Sequence, residues 1–213
     1  MSTRRFTLLS VAALAGALLL PVAATADTYA PPASDAKAVE LFKAARDVKS
    51  HFDHAGSKYK VGRAEIFVSA PMKDVRTAIL DYAAYSSIIP KFQKSKVLKR
   101  EGDSAEVYLQ IPILKGAATL WAQESFAKPV AEGKGEKIVG TFLKGNVDSL
   151  EATWHYRPVD ATHTAVSLDI FIAPKIAAPE SLVTKEVEDA CGDGARAIRD
   201  KAQAAAKKVA SNP

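Results

Sequence analysis

Four histidines, one cysteine and a scatter of carboxylates are the groups in this chain that could do chemistry. His51 and His54 stand three apart with Asp53 between them. On a helix that spacing puts two imidazoles on one face, as a zinc site needs, but no third ligand converges. A solvated helix end accounts for them more simply. His155 and His163 fall on the polar phase of their strands and should face outward, so neither is a good general base. Cys191 lies on the apolar face of a helix and reads as a small buried hydrophobe, with an intermolecular disulfide or a reactive thiol as the alternatives. Glu124 shares a strand phase with Leu120, Ala122 and Phe126. If that phase points inward, Glu124 is a polar group in a cavity. Charged residues are seldom buried without partners, so exposure at a strand end is favoured. Glu186, Glu188 and Asp189 complement the start of a helix. Gly133-x-Gly135 lacks the strand-to-helix context of a phosphate loop. No nucleophile, base and acid assemble into a triad, and no catalytic residue, metal or cofactor is assigned.

The bulk numbers narrow the function classes. Arg4 and Arg5 precede an apolar run, Phe6 to Leu20, then Pro21 and Ala24-Thr25-Ala26. This is a basic region, an apolar region and a small-residue cleavage signal, so residues 1–26 read as a secretory signal peptide. The run falls short of the roughly 20 residues of a membrane anchor. The arginine pair leaves both ordinary secretion and twin-arginine export open. Loss of those two arginines lowers the formal charge from +5 to +3. The lysines are spread, without the clustered cations and aromatics of a nucleic-acid groove. A secreted, periplasmic protein with one thiol has no internal disulfide, so its fold must rest on its core. A chain of this length can bury one of sufficient size.

The elements follow from periodicity. Residues 27–59 are expected to be a Pro-bearing linker and a helix capped by Ser34 or Asp35 and running to about Ser50. A domain at 60–209 should begin with a strand, Lys60 to Ser69, and a helix opened by Ala70-Pro71. Six alternating segments follow, at 94–100, 105–111, 117–127, 137–144, 150–156 and 164–172. Short links make them antiparallel. The chain ends in a long helix, Pro179 to about Val209, acidic at its start and basic at its end. Val183, Val187, Cys191, Gly194, Ile198 and Ala202 mark its apolar face. Gly192 and Gly194 should each cost about 1 kcal/mol there, so close packing or space for a ligand must offset them. The order is β-α-β-β-β-β-β-β-α. The fold class is α+β: about seven antiparallel strands curved around a C-terminal helix.

Particular residues then carry a resemblance. Phe67-Val68-Ser69-Ala70-Pro71 precedes Asp81-Tyr82-Ala83-Ala84-Tyr85 and Ile89-Pro90, and Ala152-Thr153-Trp154-His155-Tyr156-Arg157-Pro158 comes later. Over about residues 60–205 this resembles the START-like (SRPBCC) helix-grip superfamily of polyketide cyclase/dehydrase and lipid-transport proteins. The Asp-Tyr-x-x-Tyr segment is similar to that of coenzyme Q-binding-like members. The resemblance implies a deep apolar cavity between sheet and helix.

Expected lining residues from the sheet are Val107, Leu109, Leu120, Phe142, Trp154, Val166 and Leu168. From the helices they are Tyr82, Tyr85, Val187, Cys191 and Gly194. Each could equally be ordinary core. Ile111-Pro112-Ile113-Leu114 and Phe171 to Pro179 are apolar where connections are usually polar. They are expected either to pack on the core or to form a pocket mouth. In the second case Ile113 and Ile176 would touch a membrane surface, and Lys115 and Lys175 its headgroups. The leading expectation is an exported protein that binds or transfers a hydrophobic small molecule or lipid. The alternative is a cyclase/dehydrase-type enzyme using the same cavity.

Overall fold

A computed structural model describes residues 29–113, 116 and 118–211. The expected leader, and with it Lys115 and Leu114, lies outside the described residues. Helix α1 spans Ala36–Ala44, with the Asp35 carboxylate accepting the Ala38 amide hydrogen at 3.0 Å. It does not run to Ser50. Ala45 turns left-handed (φ 55°), and Val48–Asp53 forms a strand, β1. β1 is exposed along most of its length, so it carries no alternation for a sequence reading to detect. The expected linker is a strap from Tyr29 on. Its ring stacks on His163 at 3.6 Å, and its hydroxyl donates to Asp160 at 2.6 Å.

β2 (Lys60–Val68) leads through Pro71 into α2 (Met72–Leu80), a 3-10 turn (Tyr82–Ala84) and α3 (Tyr85–Ile88). The remaining strands are β3 (Lys94–Glu101), β4 (Ser104–Ile113), β5 (Ala118–Phe126), β6 (Val130–Glu132), β7 (Gly135–Gly145), β8 (Val147–Pro158) and β9 (Thr164–Pro174). Helix α4 closes the fold at Glu180–Ser211. The sheet order is β1-β2-β9-β8-β7-β5-β4-β3, with β6 beside β7, and every pairing is antiparallel. Among the described residues, nine strands therefore stand where seven were expected. The two additions, β1 and β6, are short and exposed.

The apolar run at Ile111-Pro112-Ile113 is strand, not connection: Ile111 pairs with Leu120 and Pro112 with Thr119. Proline is tolerated because the β3 pairing ends at Gln110. The Gln110 carbonyl accepts from Gln93 on that side. Two residues on, the missing N–H of Pro112 faces the open edge, where no ladder bond is lost.

α4 lies in the grip of the sheet. Cys191 is fully buried and points its thiol at the Gly62 carbonyl, 3.2 Å away. Burial pushes its pKa up, so it is an inert thiol. The two helix glycines have separate reasons. A Cβ on Gly192 would come within 2.5 Å of the Asp47 carboxylate and 2.6 Å of the Lys49 stem, so Gly192 lets the helix approach β1. A Cβ on Gly194 would meet Leu168 Cδ2 at 2.8 Å, over the interior of the sheet. Close packing answers for both glycines, and Gly194 also borders the interior cavity.

Candidate ligand cavity

Between α4 and the concave face of the sheet runs an apolar cavity. Its wall is built by the inward phase of β4, β5, β8 and β9, with Leu109, Leu120, Trp154 and Leu168 among its members. Tyr85, Ile89 and Phe92 close it from the α3 side, and Ala190 and Gly194 cover it from α4. Small side chains on the helix are what leave the space. The open volume is about 70 Å³, below the roughly 300–1,000 Å³ of sites that hold drug-sized ligands.

A second apolar pocket of about 120 Å³ adjoins it at the end of the sheet where α4 begins. Ile113, Ile176, Leu182 and Val187 contribute to its wall, with Lys175 beside them. Leu120 and Ile172 line both spaces and form the partition between them. Ile176 and Leu182 remain substantially exposed. The Lys175 ammonium donates to the Gly145 carbonyl at 3.3 Å.

Among the described residues, the wall of the inner cavity carries one carboxylic acid, Glu124. It is 1% exposed, which corrects the expectation of strand-end exposure. Its neighbours across the sheet are Val107 on β4 and Phe142 on β7, both apolar. Its Oε1 is sealed from solvent and has no hydrogen-bond partner among the described residues. Burial alone pushes its pKa up to about 8, since no cation is near enough to offset the lost hydration. At neutral pH Glu124 is therefore mostly a protonated, uncharged acid. Beside it the Tyr82 ring stacks on Phe126 at 4.6 Å, and the Tyr85 hydroxyl donates to the Ile79 carbonyl at 2.8 Å. Burial raises the pKa of both phenols.

Residues 68–199 match the family described as polyketide cyclase / dehydrase and lipid transport. The chain belongs to this family. The solved structures that share its helix-grip fold extend over most of the domain. A START superfamily protein from Mycobacterium smegmatis is 17% identical with a TM-score of 0.53, covering 70% of this chain and 98% of its own. A STAR-related lipid transfer protein from Xanthomonas axonopodis is 18% identical with a TM-score of 0.63, covering 73% and 92%. Human STARD10 is 8% identical with a TM-score of 0.59, covering 86% and 84%. At these identities the likeness concerns the fold. Comparison with curated protein sequences gave no match.

Within this polyketide cyclase / dehydrase and lipid-transport fold, the residues expected to line a pocket separate into groups. Tyr85, Leu109, Leu120, Trp154, Leu168 and Gly194 do line the inner cavity. Val187 lines the outer one. Tyr82, Val107 and Cys191 are core beside it, fully buried. Phe142 packs with the smaller apolar cluster around Leu120 and Leu150. Val166 is core and borders a different, polar groove. Sequence reasoning missed Ile89, Phe92 and Leu150 as wall residues. Ile89 and Phe92 sit in an irregular connection that has no period to assign them a face.

The histidines do not converge. His51 Nδ1 pairs with Glu188 at 2.6 Å, while His54 stacks on Phe171 at 3.7 Å and lies 3.4 Å from Glu151. They are on and after a strand, not on one helix face. Among the described residues no group of three or more His, Cys, Asp or Glu side chains is placed to hold a metal. His155 faces the convex side between Glu132 (2.6 Å) and Asp169 (3.6 Å), away from the cavity.

Proposed function

We propose that this protein binds an elongated, mostly apolar molecule between α4 and the concave face of the sheet. The observation that carries the reading is a continuous apolar wall. It runs from the exposed Ile176 end, past Leu120 and Ile172, to the interior around Trp154. Affinity would come from burial of apolar ligand surface at about 25 cal/mol per Å². At the volumes present, an alkyl chain passes inward only as Leu120 and Ile172 move apart. The mouth would meet a membrane surface or a partner's ligand through Ile113 and Ile176, with Lys175 near anionic headgroups. A signal peptide at residues 1–26 would place this binding and transfer in the periplasm.

The test is native mass spectrometry of the full chain, expressed with its leader and purified without detergent, alongside organic extraction of the same sample. A co-purified lipid or other apolar molecule is the expected result, and Gly194→Phe, which fills the cavity from α4, should lose it. Clean protein that also takes up no phospholipid, fatty acid or isoprenoid from offered vesicles would overturn the reading.

A second reading, a cyclase/dehydrase-type enzyme, draws on Glu124. Proton transfer normally needs a positioned partner within hydrogen-bond reach. The buried Glu124 Oε1 has none among the described residues, so binding is the stronger reading.

A further inference from the structure

Glu124 is hard to explain as part of the fold. Burying a carboxyl group without a hydrogen bond costs a protein stability. Here both cross-strand neighbours, Val107 and Phe142, are apolar and would pack against a leucine at least as well. The surroundings are nonetheless shaped around the carboxyl group. Gly140 on β7 faces it, and a Cβ there would come within 3.1 Å of Glu124 Oε1 and 2.7 Å of the Phe126 ring. The acid also lies well inside. It stands four residue steps along β5 from Leu120 at the partition, about 13 Å at strand spacing.

We propose that Glu124 is the recognition site for the polar end of the ligand, and that this end is an uncharged oxygen function, a ketone, ester or hydroxyl, on an otherwise apolar body. This rests on the cavity-binding reading above. The protonated carboxyl donates its O–H to a carbonyl or hydroxyl oxygen, and its remaining oxygen accepts from a hydroxyl. The ligand would thereby supply the partner that the protein withholds.

The charge around the site argues for a neutral partner. Among the described residues, no lysine or arginine lines the inner cavity. The groups facing Glu124 are Tyr82 and Tyr85 from the helical turn, both held as neutral phenols, while α4 contributes Ala190 and Gly194. A carboxylate ligand would leave its own charge unpaired beside an acid. An ammonium ligand would force Glu124 to ionise and bury an ion pair, whose desolvation is costly.

The inference is tested with four eight-carbon probes on the full-length protein, read by the fluorescence of Trp154 in the cavity wall: 2-octanone, 1-octanol, octane and octylamine. The two oxygenated probes should bind about tenfold more tightly than octane. Glu124→Leu should remove that preference, bringing octanone and octanol to the same affinity as octane. Glu124→Gln, whose amide can still donate, should retain part of it. Equal binding of octanone, octanol and octane would overturn the assignment of Glu124 and leave the cavity reading standing. Octylamine as the tightest probe would overturn the neutral-ligand class. Binding of none of the four would overturn the cavity reading and this inference together. Thermal melts of both variants guard against misfolding, since a folded Glu124→Leu that keeps the preference is also a refutation.

Discussion

Glu124, buried, and Asp169, partly buried, are two acids on one sheet, and their environments are opposite. Asp169 faces the convex side, where the Arg63 guanidinium grips it with two nitrogens and His155 stands 3.6 Å away. Burial alone would raise its pKa, but Arg63 and then His155 outweigh that and hold it below the usual carboxylate range. Glu124 faces the concave side, its Oε1 has no hydrogen-bond partner among the described residues, and burial pushes its pKa up to about 8. The fold can evidently satisfy a buried acid where it needs one. The concave acid is left unsatisfied at the place where a ligand could reach it. The convex face pairs its acid and is stabilised by it, whereas the concave face carries an acid that costs stability, as the proposed binding role would require.

The sharpest way to break this contrast is pH. The folded state holds the Glu124 proton more tightly than the unfolded chain does. Between pH 4.5 and about 8 the unfolded chain releases a proton that the native state keeps. Stability should fall across that window and level off above it, by a few kcal/mol in total. Glu124→Leu should abolish this component and be more stable than the parent at pH 8.5, as read from urea melts at pH 5, 7 and 8.5. His155, raised chiefly by Asp169, also favours the acid side and loses its contribution above about pH 6.5. The variant-minus-parent difference is thus the quantity to follow. Parallel curves would mean that Glu124 is not buried as a neutral acid.

The convex acid should respond with the opposite sign. Arg63→Met strips Asp169 of its main partner. Because the arginine side chain is itself 35% exposed, solvent screening reduces the loss to about 1–2 kcal/mol at pH 7. That loss should shrink as pH falls below about 4, where Asp169 becomes protonated in the unfolded chain. A loss that persists unchanged at pH 3 would point to the arginine stem's packing rather than to the ion pair.

Gly194 gives a smaller effect that separates stability from cavity space. Gly194→Ala gains roughly 1 kcal/mol of helix propensity but drives Leu168 Cδ2, 2.8 Å from the new methyl group, into the cavity. Net stability should stay within about 1 kcal/mol of the parent. Apolar probe binding should weaken several-fold. Unchanged probe binding would mean that the ligand lies elsewhere.

How much of this was legible in the sequence depended on whether a pattern repeats. The alternation in β4, β8 and β9 and the apolar face of α4 set out the sheet, the helix and their packing, because one-sided burial writes a period into the residues. β1 and β6 escaped because edge strands exposed on both faces need no such period. Half of the expected lining residues reach the inner cavity, since the inward phase was readable. Which inward residue is wall and which is solid core depends on side-chain volumes across the gap. Glu124 was visible as an inward-phase acid, yet the general rule that charges avoid burial pointed the other way. The rule fails here because burial, with no cation beside the group to offset it, favours the protonated form, and both are three-dimensional facts.

The mouth offers the smallest effect on stability and the most direct one on transfer. Ile176 is 49% exposed, so Ile176→Asp removes little buried surface and should leave the melting temperature nearly unchanged. Ile113 is partly buried beside Leu120 and Val147, and Ile113→Asp should cost somewhat more. If the mouth meets membrane, both variants should slow the movement of a fluorescent lipid between vesicles containing anionic phospholipid. The slowing for Ile176→Asp should be larger at low salt, where the added carboxylate is repelled most strongly. Transfer at the parental rate by both stable variants would sink the membrane contact while leaving the inner cavity and Glu124 untouched, because neither isoleucine lines the inner chamber. The two ends of the cavity are therefore separable by experiment: Ile113 and Ile176 test the proposed mouth, and Glu124 tests the proposed choice of ligand inside.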